Sequence, residues 1–294
     1  QDVVRGATKQ IYPDLANAEV TGSNGVSSFD SDGFTVGTGA SFNGNGNGIV
    51  AWNWLAGNSA GSVNTDGTLN STVSVNTTAG FSVVTYTGNG SAGATVGHGL
   101  GAVPKMIIEK GRSVTDDWLI YHHKIGNTHG LAFNNTTAAT DSDSYFNDTT
   151  PTSSVFTIGN NGKVNTNNGT HLAYCFAEKK GFSKFGSYVG NGSTDGTYVH
   201  TGFKPAFVMV KRTNSTSNWG MYDSGRDVDN VVAHGINANT TAADDISDFM
   251  DFYSNGFKHR SASANRNGNG DTYIYMSFAE EPVVGSNNIP ATAR

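Results

Sequence analysis

Eight histidines, two repeat-spaced glutamates, two aspartate-rich stretches and one thiol are the groups in this 294-residue chain whose types and spacing could do chemistry. His122 and His123 are adjacent, so on a strand they face opposite ways and cannot both chelate one ion. His98 and His200 stand 102 residues apart, each shortly before a proline-led apolar run, and read as hydrogen-bonded structural histidines. Glu178 and Glu280 share that spacing and are expected to bond those histidines or backbone N–H groups. A hydrolytic carboxylate pair would have to share one cleft, which two separate repeats do not offer. Asp141-Ser142-Asp143-Ser144 and Asp244-Asp245-Ile246-Ser247-Asp248 read as matching loops. Their oxygen atoms suit calcium, but the glycine and closing glutamate of an EF-hand loop are missing, so solvated loops are expected. Phe29-Asp30-Ser31-Asp32-Gly33-Phe34 reads as a turn without an ion.

Cys175 lies in an apolar run and is read as inert core. Asn43 to Gly48 alternates Asn and Gly with no lysine and no helix to follow, so it is a turn and not a phosphate loop. No Gly-X-Ser-X-Gly elbow with a downstream acid and histidine is present. The chain is therefore expected to be non-enzymatic. It has no assigned catalytic, cofactor-binding or metal residues, its ligand-binding residues are unassigned, and calcium is the one cofactor left open. Trp52, Trp54, Trp118 and Trp219 fit strands of the repeat and are expected in the core. Tyr198, Phe252 and Tyr253 break the repeat and are the candidates for exposed contact.

The elements that must position these groups are legible in composition. With 16 Phe, 11 Tyr and 4 Trp, the chain can bury a core. With 38 Gly, scarce Leu and no 3.6-residue apolar stripe, it reads as all-β with many turns. A net charge of −6 argues against a nucleic-acid partner. No apolar run is long enough for a membrane helix, so no membrane insertion is expected. A lone cysteine forms no internal disulfide. Gln1 to Arg5 has no signal-peptide character, and sequons such as Asn89-Gly90-Ser91 follow from composition.

Internal repetition organises the chain. Tyr86-Thr87-Gly88-Asn89-Gly90-Ser91 recurs as Tyr188-Val189-Gly190-Asn191-Gly192-Ser193. Pro104 and Trp118 recur 101 residues later as Pro205 and Trp219, and Phe176-Ala177-Glu178 recurs as Phe278-Ala279-Glu280. A period near 100 residues suits a β-sandwich and not a solenoid. Strands are expected at Phe81–Tyr86, Lys105–Lys110, Trp118–His122 and His171–Ala177, with a hairpin through Gly159-Asn160-Asn161-Gly162. A partial third copy spans Phe34 to Trp54, with Val50–Trp54 as its closing strand. Its missing opening half is expected upstream of Gln1, with divergence within residues 1–33 as the alternative; the first reading makes the chain the C-terminal part of something longer.

The fold class expected is tandem antiparallel β-sandwich (jelly-roll-like) domains of about 100 residues. They comprise a closing half-unit (1–56), a Ser/Thr/Asn/Gly-rich linker or edge ribbon (57–79), repeat 1 (80–180), repeat 2 (181–281) and an extended tail (282–294).

Thr95-Val96-Gly97-His98-Gly99-Leu100-Gly101, then Pro104, an apolar strand, Trp118 and Ala177-Glu178, resembles repeat units in large structural proteins of marine tailed bacteriophages. The ending Tyr273 to Pro282 through Asn287 to Arg294 is similar to the C-terminus of such proteins, and Arg5 to Phe34 resembles a segment that follows a concanavalin-like or laminin-G-like domain in them. The resemblance implies a tail fibre, spike or surface fibre, located on the virion or extracellular. Its implied partners are copies of itself, with a trimer favoured, other virion proteins and a host-surface glycan. In the second unit Val199-His200-Thr201-Gly202-Phe203 replaces the glycine-flanked histidine of the first, so the two need not bind the same thing. A bacterial lectin-like adhesin or filament subunit is the alternative, and a polysaccharide depolymerase is the third reading.

Overall fold

A computed structural model describes residues 1–57 and 59–280. The 282–294 tail expected from the sequence lies outside the described residues. The described residues pack as two compact units, Gln1–Leu119 with Ser142–Ala177, and Ile120–Asp141 with residues 178–280.

In chain order the N-terminal segment carries β1 (Lys9–Gln10), β2 (Val20–Thr21), β3 (Val26–Phe29), β4 (Phe34–Val36) and the helical turn α1 (Ala40–Asn43). The remaining first-unit strands before the segment 120–141 are β5 (Ser62–Asn64), β6 (Ser71–Asn76), β7 (Phe81–Thr87), β8 (Ala94–Gly97) and β9 (Met106–Gly111). Next come β10 (Leu119–His122), β11 (Gly126–Ala132) and β12 (Thr140–Asp141). The first unit finishes with α2 (Asp143–Phe146), β13 (Val155–Ile158), α3 (Gly162–Asn165) and β14 (Thr170–Phe176). The second unit continues with β15 (Ser183–Val189), β16 (Tyr198–His200), β17 (Pro205–Arg212), β18 (Gly220–Asp223), β19 (Val232–Asn237), β20 (Asp245–Tyr253), β21 (Gly256–His259) and β22 (Thr272–Ala279).

In the first unit the strands run β9-β14-β7-β6-β5, all antiparallel, and β8 pairs with β13. Register sorts the side chains into two faces, because strand residues alternate. Ser82, Val84, Tyr86, Ile107, Glu109, His171, Ala173 and Cys175 share one face. There Tyr86 meets Phe156 of β13 edge-on at 6.2 Å. Phe81, Ile108, Lys110, Leu172, Tyr174 and Phe176 share the other, where the N-terminal segment lies: Arg5 donates to Tyr174 Oη and Lys110 to the Ala16 carbonyl. Both faces are largely buried, so apolar residues stand on both sides of these strands instead of on one.

From β15 onward the second unit forms one antiparallel sheet ordered β15-β22-β17-β18-β19-β20-β21-β16. Its edge strands β15 and β16 are consecutive in the chain, and Thr197 Oγ1 donates to the Val189 carbonyl at 2.8 Å, so the sheet curls almost into a barrel. Tyr188, Tyr222, Phe249, Phe257, Tyr273 and Tyr275 fill its interior, with Tyr188 and Tyr273 stacked at 4.9 Å. The protein is thus all-β, with two large antiparallel sheets that accord with tandem sandwich, jelly-roll-like domains.

Each unit is completed by a segment that precedes it in the repeat. In the first, Trp118 Nε1 donates to Tyr12 O, Lys110 Nζ to Ala16 O, Asp116 N to Ala16 O and Glu19 N to Arg112 O. In the second, Trp219 Nε1 donates to Ala132 O, Lys211 Nζ to Thr136 O, Ser217 N to Thr136 O and Ala139 N to Thr213 O. Tyr12, Ala16 and Glu19 precede Ala132, Thr136 and Ala139, respectively, by 120 residues. Segment 120–141 therefore does for the second unit what the N-terminal segment does for the first. Burial lowers the pKa of both lysines to about 8, which leaves each ammonium charged at neutral pH and able to donate to several carbonyls at once.

The structure corrects several local expectations. Gly159 to Asn165 is not a hairpin: Asn161 accepts from Lys163 N and caps the turn α3. Val50–Trp54 forms no strand, so Trp52 and Trp54 are half-buried outside any sheet, with Trp54 edge-on to Phe176 at 6.2 Å. In the complete copies the closing strand is bonded on both sides, β14 by β7 and β9, β22 by β15 and β17; residues 50–54 join no sheet. The partial third copy still keeps one bond of the full units. Asn43 Nδ2 donates to the carbonyl six residues earlier, as do Asn165 and Asn267.

Candidate functional site

The groups singled out in the sequence go mostly to structural duties. His98 is fully buried; its Nδ1 accepts from Leu100 N and its Nε2 lies 3.2 Å from Thr152 O, which fixes the proton on Nε2. Burial lowers its pKa. His200, matched with it in the sequence, is exposed on the β16 edge, and Thr201 takes the place of His98, its N donating to Asn255 O as His98 N does to Ser154 O. His122 Nε2 is 3.3 Å from Tyr275 O, and His123 Nε2 is 3.0 Å from Phe185 O, so the adjacent pair serves two backbone carbonyls. Glu178 binds Lys184 Nζ at 2.9 Å and accepts from Phe185 N, and Glu280 binds Lys204 Nζ at 2.7 Å. Of the two expected partner types, the backbone N–H applies to Glu178, whereas the side chain of Glu280 pairs with a lysine. Cys175 is fully buried, and desolvation first, then Glu109, raises its thiol pKa well above the usual range.

The two acidic stretches do not form matching loops. Asp143 opens α2, whereas Asp245 to Ser247 lie in β20, paired through Asp245–Gly235 and Ile246–His234. Among the described residues no three His, Cys, Asp or Glu side chains gather to hold a metal. Phe29 to Phe34 does form a turn, with Asp30 N donating to Gly33 O and its carboxylate oxygens accepting from Ser28 and Thr35.

Sequence reasoning missed two buried polar centres. Asn165 and Asn267 lie 102 residues apart, almost fully buried. Asn165 Oδ1 accepts from Asn89 N and Gly90 N while its Nδ2 donates to Ser91 O and Gly159 O; Asn267 repeats this with Asn191 N, Ser193 O and Ser261 O. These clamps explain the recurrent Gly-Asn-Gly-Ser motif. A Cβ on Gly88 or Gly190 would sit 2.5 Å from Thr166 O or 2.2 Å from Gly268 O. The second centre is Glu109, fully buried in the first unit, with Tyr86 Oη 2.9 Å from its Oε2 and 2.7 Å from Val164 O. One phenolic proton cannot serve both acceptors. A protonated Glu109 resolves this by donating to Tyr86 Oη, and desolvation accordingly raises its pKa to about 8.

The feature left over is on the surface of the second unit. Tyr198 on β16 and Tyr253 at the end of β20 are 43% and 37% exposed, and their rings meet edge-on at 6.2 Å. Phe252, grouped with them in sequence, is buried, because neighbours on a strand face opposite sides. Both rings are tethered at their hydroxyls: Tyr198 donates to Asn255 Oδ1 at 2.6 Å, and Tyr253 to Asp251 Oδ2 at 2.9 Å. Asp251 is itself held by Arg260 Nε at 2.6 Å. Gly256 makes room, since a Cβ there would lie 2.8 Å from Tyr198 Oη and 2.1 Å from Val199 O. With Ser254 and Lys258 the two rings line a shallow depression of about 480 Å³. Lys258 Nζ pairs with the exposed Asp195. Two anchored aromatic faces beside amide and ammonium donors can stack and hydrogen-bond a flat polar ligand.

No helix among the described residues is long and apolar enough to cross a membrane. No curated protein and no solved structure matches the chain. One family model does, over residues 1–282, and with that match the chain belongs to the family described as Domain of unknown function (DUF7483).

Proposed function

We propose that this protein is a non-enzymatic structural component of a bacteriophage virion, a fibre or spike that presents repeated β modules for attachment to the host surface. The observation that carries the reading is the way each unit is completed by the segment preceding it in the repeat. The same tryptophan, lysine and backbone bonds fasten residues 12–19 to the first unit and residues 132–139 to the second. A chain whose modules each need a preceding segment is one that extends serially, as a fibre does. The sequence resemblance to phage structural proteins supports the same reading. Polar uncharged loops clamped by Asn165 and Asn267 supply rigidity without disulfides. Copies assemble with one another, a trimer being the favoured form, so that weak sites act together.

The test has two parts. Mass spectrometry of purified tailed phage particles from the producing lysate should find peptides of this chain among the virion proteins. Light scattering should give an assembled mass of a trimer or larger. Absence from purified particles, together with a monodisperse monomer near 30.8 kDa, would overturn the reading and move weight to a detached binding module or an enzyme.

A further inference from the structure

The geometry points to a binding site for an uncharged pyranoside sugar on the Tyr198–Tyr253 platform of the second unit. This deepens the attachment reading and rests on it for its biological sense, though the site itself is a property of the isolated chain. Three observations carry it.

First, the rings are exposed but not loose. Tyr198 is fixed through Asn255 and by passing over Gly256, and Tyr253 is fixed through Asp251 and Arg260. A solvent-facing aromatic with no ligand gains little from such tethering, whereas a stacking surface gains a lower ordering cost on binding. Second, the chemistry around the rings is that of a sugar site. The C–H face of a pyranose carries partial positive charge and suits the negative face of a phenol ring. Asn255 uses its Oδ1 on Tyr198, which leaves its Nδ2 hydrogens for ligand hydroxyls, and the Lys258 ammonium has protons beyond the one directed at Asp195. Third, charge selects the class. Lys258 is paired with Asp195, and Arg260 with Asp251, so the platform offers no uncompensated cation for a uronate or sialate.

The first unit does not repeat the site. Tyr198 pairs with Lys258 as Thr95 pairs with Thr157, so a threonine stands in its place in the first unit, and among the described residues no hairpin equivalent to β20–β21 stands beside it. The glycan site therefore belongs to the second unit, where the sequence departs from its repeat.

The full chain should be titrated by saturation-transfer difference NMR with cellohexaose, galactohexaose and chitohexaose as neutral probes, and with a hexameric alginate as the acidic one. At least one neutral oligomer should bind, with sugar ring C–H protons saturated most strongly. Tyr198→Ala and Tyr253→Ala should each weaken that binding about tenfold, and Tyr253→Phe, which keeps the ring, by less than about threefold. Both tyrosines lie at the surface, and unchanged circular dichroism melting of the variants verifies that the fold is intact. Binding of alginate alone, no binding of any probe at 10 mM (roughly the weak limit for a single stacked sugar), or binding indifferent to both alanine variants would each overturn the site. A chain that fails here but is found in virions loses this site and keeps the fibre reading. One that binds sugar but is monomeric and absent from virions does the reverse.

Discussion

Replacing Glu109 by glutamine should stabilise the first unit at alkaline pH and leave it nearly unchanged in acid. Glu109 is fully buried, its Oε1 has no hydrogen-bond partner, and its Oε2 faces a phenol that also meets the Val164 carbonyl. Desolvation raises its folded pKa to about 8, against an ordinary value of 4.5. A raised carboxyl binds its proton more tightly when folded. Its contribution is therefore fully present below pH 4.5 and is lost as pH rises towards 8. At most one proton is involved, so the loss approaches about 1.4 kcal/mol per pH unit and amounts to roughly 2.5 kcal/mol between pH 5 and 7. The amide introduced by Glu109→Gln can donate to Tyr86 Oη as the protonated acid does, without titrating.

Other groups titrate in the same range with the opposite sign. Burial lowers His122 and His259 to about 3 and His171 to about 4, so their contributions are present above pH 6.5 and are lost as pH falls. The informative quantity is thus the difference between variant and parent, in which those contributions cancel. Urea unfolding at pH 5, 6, 7 and 8, followed by circular dichroism and tryptophan fluorescence, measures it. The variant's advantage should grow steadily with pH and reach about 3–4 kcal/mol at pH 8. A difference that is flat with pH, or a variant less stable than the parent at pH 8, would refute a protonated Glu109.

Three further outcomes follow from the same structure. Asn267→Ala removes both ends of a buried clamp on Asn191, Ser193 and Ser261, and should cost about 2–4 kcal/mol in urea unfolding, with faster proteolytic nicking of residues 190–196. Lys211→Met leaves the Thr136 and Ser217 carbonyls without their ammonium donor; it should cost about 2–3 kcal/mol and open segment 124–139 to limited proteolysis while residues 12–19 stay protected. Cys175 should not react with an aromatic disulfide reagent in the native protein at pH 8 and should react at once in urea, because its thiol is buried and its pKa is raised.

The β class, the duplication and most strand positions are legible in the residues without any coordinates. Those features are written in local terms: runs such as Phe81–Thr87 and Thr170–Phe176 are rich in β-branched and aromatic residues, and glycines and asparagines punctuate them. The period near 100 residues is visible because both copies keep the same buried tryptophan and the same motif loop. The exposed tyrosine pair was legible for a related reason, since Tyr198 and Tyr253 depart from what the first copy keeps. Phe252 shows the limit of that signal, because a one-residue step along a strand reverses the face and only the register of β20 against β21 says which side is inside.

Other features emerge only once the chain is folded. Asn165 and Asn267 look like turn residues in a chain full of them, and their role depends on a loop more than 70 residues earlier in sequence. Glu109 reads as a polar residue in a strand until packing on both sides of the sheet removes its water. The clearest case is the segment from 120 to 141. Its place in the repeat assigns it to the first copy, yet its bonds to Trp219, Lys211 and Thr213 assign it to the second. Local propensity makes strands. Which sheet face a segment covers is settled by long-range burial and by hydrogen bonds between residues far apart in the chain, and these leave no periodic trace in a single sequence.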